Sequence, residues 1–363
     1  MKDITIAICG FGHIGRRHTT IAANYPGVKV VAIIDPDQEV VNHTLFPESA
    51  QHFETLDQYL KSKINADVLT IATPNGLHIP LALKALSNNH HVVIEKPMGL
   101  NRLDCEQVVF KALQVNKQVF VVKQNRYSPP SKWLKQVVDN KNLGDIYMVQ
   151  VNCYWNRDER YYGAPNENGR STGKLVNPTE IMEDRRNRGL HAWKGSKPLD
   201  GGVLFTQFSH FIDIMFWVFG DINNIKTNLN NFNHPDNTEF EDSGSTIFNF
   251  IQGGMGVLNF STSVWDTNLE SSITVIGSKG SLKIGGQYMN EIEYCHIKDY
   301  DMPALPPTNP PNDYGPFKGS AANHHYVIEN VVNTLQGKDT ITANALEGLK
   351  VVDIIERIYN AAE

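Results

Sequence analysis

Between residues 3 and 123, short apolar runs alternate with segments of helical period, and no other feature of the chain restricts its fold as much. The runs are ITIAIC (4–9), VKVVAIID (28–35), ADVLTIAT (66–73), HVVIEK (91–96) and QVFVVK (118–123). Each has the length of a strand and is almost continuously apolar, as a strand buried on both faces must be. Between them LHIPLALKALSNN and LDCEQVVFKALQVN repeat apolar positions at helical spacing. Strands joined through helices pair in parallel, so the pattern predicts α/β architecture, a doubly wound parallel sheet with helices on both faces.

The character changes near residue 124. One amphipathic helix, SKWLKQVVDNK, precedes a strand at 145–155 and a polar stretch from about 156 to 195. GVLFTQFSHFIDIMFWVFG reads as a single apolar helix over 202–219. From 224 to 295 alternating runs are punctuated by Gly-rich turns, and STIFNFIQGGMGVLNFSTSV and SSITVIGSKGSLKIGG each read as a hairpin. The expectation is a second α/β domain with a large, open, mostly antiparallel sheet. One face would pack on helices and the other would be free to meet a partner. A proline-rich loop (302–319) and helices at 320–336 and 342–361 complete the chain. At 363 residues the chain exceeds what one core serves. The domains are read as 1–123, 124–338 and a C-terminal helix, 339–363, packing back towards the first.

A net charge of −6 offers no basic face to nucleic acid or to an anionic membrane. Four cysteines with no C-x-x-C pair suit the reduced thiols of a cytoplasmic protein. The opening MKDITIAICGFG is interrupted by glycine too early for a signal peptide, and no run approaches the roughly 18 apolar residues of a membrane span. No metal site is expected: the pairs His90/His91 and His324/His325 are adjacent in sequence and have no carboxylate or thiolate at ligand spacing.

IAICGFGHIGRRH sets Gly10, Gly12 and Gly15 in the spacing G-x-G-x-x-G, after a strand and at the start of a helix. Asp35 follows twenty residues after Gly15, at the end of the next strand. In this context the pattern is a dinucleotide fingerprint: a tight turn at Gly10, backbone approach to the pyrophosphate at Gly12, close packing at Gly15, and unpaired helix N–H groups for the phosphates. Asp35 would accept from an adenosine ribose and repel a 2′-phosphate, which favours NAD over NADP; Arg16 and Arg17 speak for NADP. GRSTGK (169–174) imitates a phosphate loop but has three residues between its glycines and leucine after its lysine, so it is read as polar loop.

Lys96 is the oddest residue of the parallel sheet, a charged group ending the buried run VVI. At the carboxyl end of a strand in such a sheet it stands where ligands bind; the alternative is a Glu95–Lys96 surface pair.

The fingerprint with Asp35, TPNGLH (73–78), EKP (95–97) and DGGVLFTQFSHFID (200–213), in this order, resembles the glucose-fructose oxidoreductase / inositol dehydrogenase / MocA family over nearly the whole chain. The resemblance implies an N-terminal Rossmann domain holding NAD(P), and a C-terminal α/β domain that supplies the substrate pocket and joins subunits through its sheet as a homodimer or homotetramer. It implies a catalytic pair, Lys96 beside the nicotinamide and the reacting hydroxyl, and His210 of the H-x-x-D pattern as general acid/base, with Asp213 orienting structure. It extends the cofactor set from Gly10, Gly12, Gly15 and Asp35 to Phe11, His13, Ile14, Thr73, Pro74, Asn75, His78, Glu95, Lys96, Gln124 and Trp193. The implied substrate set is Lys96, Arg126, Tyr127, Lys194, Thr206, Gln207 and His210.

Inositol dehydrogenase-type members carry aspartate four residues before the histidine, where this chain has Thr206. That departure, with AWKGSKPLDGG (192–202), resembles the branch acting on nucleotide sugars, UDP-N-acetylglucosaminuronate 3-dehydrogenases in particular. The implied reaction is oxidation of carbon 3 of a UDP-N-acetylhexosamine or its uronate. A free-sugar or polyol dehydrogenase and a non-catalytic NAD-binding regulator are the alternatives. The segment 163–191, with Arg185, Arg186 and Arg188, is expected to be a solvated insertion, or else a lid gripping an anion. Asn323, His324 and His325 are read two ways, as a helix cap region or as an approach to the active site.

Overall fold

The apolar runs pair as expected, and a sixth strand joins them. The computed structural model describes residues 3–163 and 193–362. In it β1 (Ile4–Cys9), β2 (Val28–Ile34), β3 (Gln51–Phe53), β4 (Val68–Ile71), β5 (His91–Ile94) and β6 (Val119–Val121) form one sheet in the order β3-β2-β1-β4-β5-β6. Every pair is parallel. The strand order reverses at β1/β4, so the crevice beyond those carboxyl ends is where this topology binds ligands. β3 escapes the sequence pattern because three residues, two of them polar, carry no periodicity. The strands are also shorter than expected: Asp35, Thr73, Lys96 and Lys123 all lie just past a strand end.

Helices α1 (His13–Asn24), α2 (Leu56–Lys61), α3 (His78–Ser87) and α4 (Arg102–Val115) connect these strands. The chain crosses at 124–127 to α5 (Pro129–Asp139), β7 (Ile146–Tyr154) and α6 (Glu159–Tyr162). It resumes with α7 (Lys197–Asp200), α8 (Val203–Thr206) and α9 (Ser209–Phe219). Then come β8 (Ile222–Asn230), β9 (Ser243–Phe250), β10 (Met255–Ser261), β11 (Glu270–Gly277), β12 (Gly280–Gly285) and β13 (Glu291–Ile297). The second sheet runs β13-β12-β11-β7-β10-β9-β8. Its only parallel pair is β7 with β10; the others are antiparallel. Val149, Val151, Leu258, Phe260, Ile273 and Val275 bury one face in a cluster with Phe211, Ile212 and Met215 of α9. Ile247, Met255 and Ile276 are exposed.

The helix expected over 202–219 is broken. The segment Lys197–Thr206 and α9 meet at 53°, because the helix stops at Thr206 and resumes only at Ser209. A helix end leaves carbonyls without intrahelical donors, and the Thr206 carbonyl is put to use below. No single helix among the described residues is long and apolar enough to cross a membrane.

The proline-rich loop contains a small hairpin, β14 (Pro311–Asp313) with β15 (Lys318–Ala321). The chain then returns to the first sheet. Val327, Ile328 and Val331 of α10 (His324–Leu335) share a cluster with Ile6, Ile8 and Ile33, so a helix expected within the second domain covers the first. Before α11 (Ala345–Asn360) the chain bonds to β6, Val121 N donating to Ala343 O at 2.9 Å, and Gly348 lies against Met98 and Val121.

Candidate active site

The glycine loop leaves β1 under tight steric control. A Cβ at Gly10 would sit 2.4 Å from Ala72 O, and one at Gly15 would sit 1.9 Å from Gly10 O. Gly15 is therefore required by its own turn rather than by helix–strand packing. A Cβ at Gly12 would meet nothing within 4 Å. Gly12 is the N-cap of α1 and offers no side-chain cap, so the first N–H groups of the helix face open space with the positive end of its dipole. Open room for a phosphate, an uncapped helix start and an acid at the next strand end fit a dinucleotide.

Asp35 accepts from Phe11 N at 2.7 Å and from Asp37 N at 3.0 Å, which fixes its carboxylate beside the loop. The two arginines that argued for NADP are engaged elsewhere. Arg17 donates to Tyr314 Oη at 3.0 Å, and Arg16 lies over the Phe11 ring, 5.6 Å from its centroid. Phe11 itself is a core residue, edge-on to Phe46 and His43, and its backbone rather than its ring belongs to the loop. His13 is exposed.

At the end of β5, Glu95 is buried with Oε1 2.7 Å from His18 Nε2 and 3.6 Å from His324 Nε2. Burial alone would raise its carboxyl; the two histidines outweigh burial and hold it well below the usual range. Ligand atoms of this trio lie within 4.8 Å of one another. Two donors on a tetrahedral ion stand about 3.3 Å apart, so the 2.7 Å contact is a shared proton rather than half of a metal site. His324 thus sets its imidazole against Glu95, while Asn323 does not cap its helix: its amide donates to Gln124 O at 3.3 Å and Ser128 Oγ at 3.1 Å. His325 is exposed.

Lys96 crosses to the second domain. Its Nζ donates to Thr206 O at 2.6 Å, the carbonyl freed by the break between α8 and α9. Burial pulls its pKa down to about 8; Glu95 and Asp200 oppose the shift, and Lys123 and Arg157 add to it. His210 is buried, with Nε2 3.2 Å from Gln124 Nε2 and, among the described residues, no partner at Nδ1. Burial first, and then the charges of Lys96 and Lys123, push its pKa well down, so the imidazole is neutral at physiological pH. A cation and a neutral base therefore share one dry site.

Thr206 has not simply lost a carboxylate. Its Oγ1 donates to the side chain of Asp200, takes a bond from Asn75 Nδ2 at 2.8 Å, and sits beside Lys96. Asp200 is buried, accepts from Gly195 N at 2.8 Å, and has its pKa raised to about 6, chiefly by burial. The carboxylate arrives from six residues upstream. Position counting within H-x-x-D could not find it, although DGG carried the signal. Lys123, also missed, ends β6 as Lys96 follows β5, and the same reasoning would have exposed it.

Other expected residues are engaged differently. Arg126, expected at substrate, gives Nε and Nη2 to Asp213 (2.9 and 2.8 Å) and Nη1 to Thr342 O and Glu347. This buried guanidinium is committed to carboxylates of the protein rather than turned to a sugar. Tyr127 stacks on Tyr326, with ring centroids 5.4 Å apart. Both nitrogens of His78 lie on carbonyls, Pro97 O at 2.7 Å and Thr73 O at 2.9 Å, so it ties the Thr73–Pro74 turn to the segment after β5 rather than offering a bond to cofactor. Asn75 likewise spends its amide on Asp200 O and Thr206. Gln207 links Arg157 Nε (2.8 Å) to Tyr161 Oη (2.6 Å). Lys194 Nζ lies 3.3 Å above the Tyr161 ring centre. Ile14 is half-buried in α1, and Trp193 is half-buried before Lys194. The arginines 185, 186 and 188 and the decoy GRSTGK fall outside the described residues.

Comparison with known proteins gives the family of this fold. The WlbA dehydrogenase from Bordetella pertussis, solved in complex with NADH and UDP-GlcNAcA, superposes with a TM-score of 0.82 at 27% identity, over 99% of this chain and 97% of that one. A glucose-6-phosphate 3-dehydrogenase from Bacillus subtilis is 22% identical over 98% of this chain and 95% of its own. An uncharacterized oxidoreductase from Synechocystis is 23% identical, and there the chain spans 54% of the relative's length. Residues 4–123 match the family model of oxidoreductases with an NAD-binding Rossmann fold, and residues 135–363 match that family's C-terminal alpha/beta domain. The chain is a member of the Gfo/Idh/MocA oxidoreductases and binds NAD through its N-terminal domain.

Proposed function

We propose that the protein is an NAD-dependent dehydrogenase that oxidises a secondary hydroxyl, carbon 3, of a UDP-N-acetylhexosamine or its uronate. The observation that carries this is the buried, neutral His210 held beside the Lys96 ammonium. His210 accepts the hydroxyl proton. Lys96 stabilises the negative charge that develops on the oxygen. Bound NAD supplies the hydride acceptor. The WlbA complex supports the nucleotide-sugar assignment. Reading the absorbance of reduced nicotinamide after mixing protein, NAD and UDP-GlcNAcA tests it: a rise is expected, and silence with bound NAD discards the substrate.

One observation favours a second reading. Asp200 restores a carboxylate beside Thr206, the group whose absence at position 206 speaks against a free-sugar or polyol substrate. Turnover of glucose, glucose 6-phosphate or inositol without any of a nucleotide sugar would select it. The open face of the second sheet, with Ile247, Met255 and Ile276 exposed, supports a homodimer or homotetramer; a monomer by sedimentation would reject that assembly.

The cofactor preference is testable separately. Asp35→Ala is expected to weaken NAD by about 10–100-fold, through loss of charge-assisted bonds to a ribose, and to narrow the gap to NADP. Titrations of both nucleotides by protein fluorescence read this directly; unchanged discrimination would remove Asp35 from the site.

A further inference from the structure

Two arginines are buried among the described residues, and they are treated in opposite ways. Arg126 meets two carboxylates. Arg157, only 3% exposed, meets none among the described residues. Its Nε donates to Gln207 Oε1, its Nη1 to Asn156 O and to Asn268 Oδ1 at 3.1 Å, and its Nη2 makes one long contact, 3.4 Å, with Lys318 O. All four acceptors are neutral. Trp155, Tyr161 and Phe317 surround the guanidinium at 4.7–5.2 Å. Burying a full charge against neutral partners is costly unless an opposite charge arrives. Aromatic faces return only part of that cost.

The place of this charge is informative. Gln207, which Arg157 holds, lies three residues before His210. Arg157 lies close enough to Lys96 to act on it as a repelling charge, so its guanidinium borders the catalytic cleft. The carboxylates there are already committed, Glu95 to His18 and Asp200 to Thr206 and Gly195 N. An arrangement of this kind is stable when the missing negative charge comes with the ligand.

We propose that Arg157 is an anion subsite of the substrate pocket, and that the protein selects a sugar carrying a carboxylate or phosphate over its neutral counterpart. Nη2 retains the donor capacity for that anion. The substrate's identity rests on the dehydrogenase reading above; the subsite does not.

Isothermal titration with NADH-loaded protein, in which no oxidation occurs, tests the assignment. The probes are UDP-GlcNAcA and UDP-GlcNAc, which differ at one carboxylate. The intact protein is expected to prefer the acid by at least about tenfold. Arg157→Met should bring the ratio close to one, and Arg157→Lys should restore part of it. Retained NADH binding reports that each variant is folded. If neither nucleotide sugar binds, glucuronate and glucose 6-phosphate are set against glucose. A preference for one of these acids that Arg157→Met abolishes supports the subsite while rejecting the nucleotide-sugar substrate, and tells carboxylate from phosphate. Equal binding of acidic and neutral probes by the intact protein, or a preference that survives Arg157→Met, overturns the proposal.

Discussion

Replacing Lys96 by methionine is expected to lower kcat by about 10²–10⁴-fold while leaving NAD binding in place. Methionine fills the volume of the lysine stem, so the packing between the two domains is kept and the ammonium alone is lost. That ammonium is the cation nearest to the hydroxyl in the scheme above, and negative charge appears on the oxygen only as hydride departs. The pH dependence separates this role from a merely structural one. Lys96 is pulled down to about 8 by burial, despite Glu95, with Lys123 and Arg157 helping. Activity that needs the protonated amine is present below pH 8 and falls as pH rises through it. His210, pushed well down by burial and then by Lys96, is already neutral across that range. The profile of kcat/KM should therefore be flat near neutrality with an alkaline limb near 8. In Lys96→Met that limb disappears. In Lys96→Arg residual activity should persist to higher pH, because a guanidinium stays charged. A full-strength Lys96→Met enzyme, or an alkaline limb unchanged in it, would assign the proton chemistry to another group.

The sequence disclosed the parts of the site that are local. Gly10, Gly12, Gly15 and Asp35 lie within one βαβ unit, so their spacing defines their geometry. Lys96 was found because a charge at the end of a buried strand demands a reason. What stayed hidden depends on distant segments meeting. Asp200 reaches Thr206 only because Gly201 and Gly202, at φ +91° and +130°, turn the chain back before α8. His324 reaches Glu95 across 229 residues of sequence, through a helix that returns from the second domain to cover the first sheet. The family resemblance implies Arg126 and Tyr127 at the substrate, and the segment 124–127 does cross between the domains. Which way a side chain leaves such a crossing is decided by Asp213, Glu347 and Tyr326, and none of these is marked by periodicity. The helix break at Gln207 was equally silent, since an apolar run has the same composition whether it is straight or bent.

Asp213 is expected to be the most costly residue of the cleft to remove, although it touches neither hydride nor hydroxyl. Its carboxylate is bidentate to Arg126 and lies 3.5 Å from Lys123 Nζ, and all three side chains are buried. Burial acts to raise its pKa, but the charges of Lys123 and Arg126 win and hold it below the ordinary value. Asp213→Asn keeps the shape and strands two cations with only Glu347 to answer them. Breaking a buried pair from one side costs about 3–5 kcal/mol, most of it the desolvation of the charge left behind. For a chain of this size that amounts to a fall in Tm of roughly 4–7 °C. The pH dependence has a definite sign. A carboxyl depressed in the folded state contributes its full stability above the unfolded pKa, about 3.9, and loses it as pH falls through the folded value. The gap between wild type and Asp213→Asn should accordingly be widest near neutrality and close in acid. A second substitution makes the cause explicit. Adding Lys123→Met to Asp213→Asn removes one stranded charge, so the double variant should regain part of the lost stability rather than sum two losses. If the two losses simply add, or if Asp213→Asn unfolds within about 1 kcal/mol of wild type, the network is worth no more than an exposed ion pair. The placement of Gln124 and His210 on either side of it would then need another support.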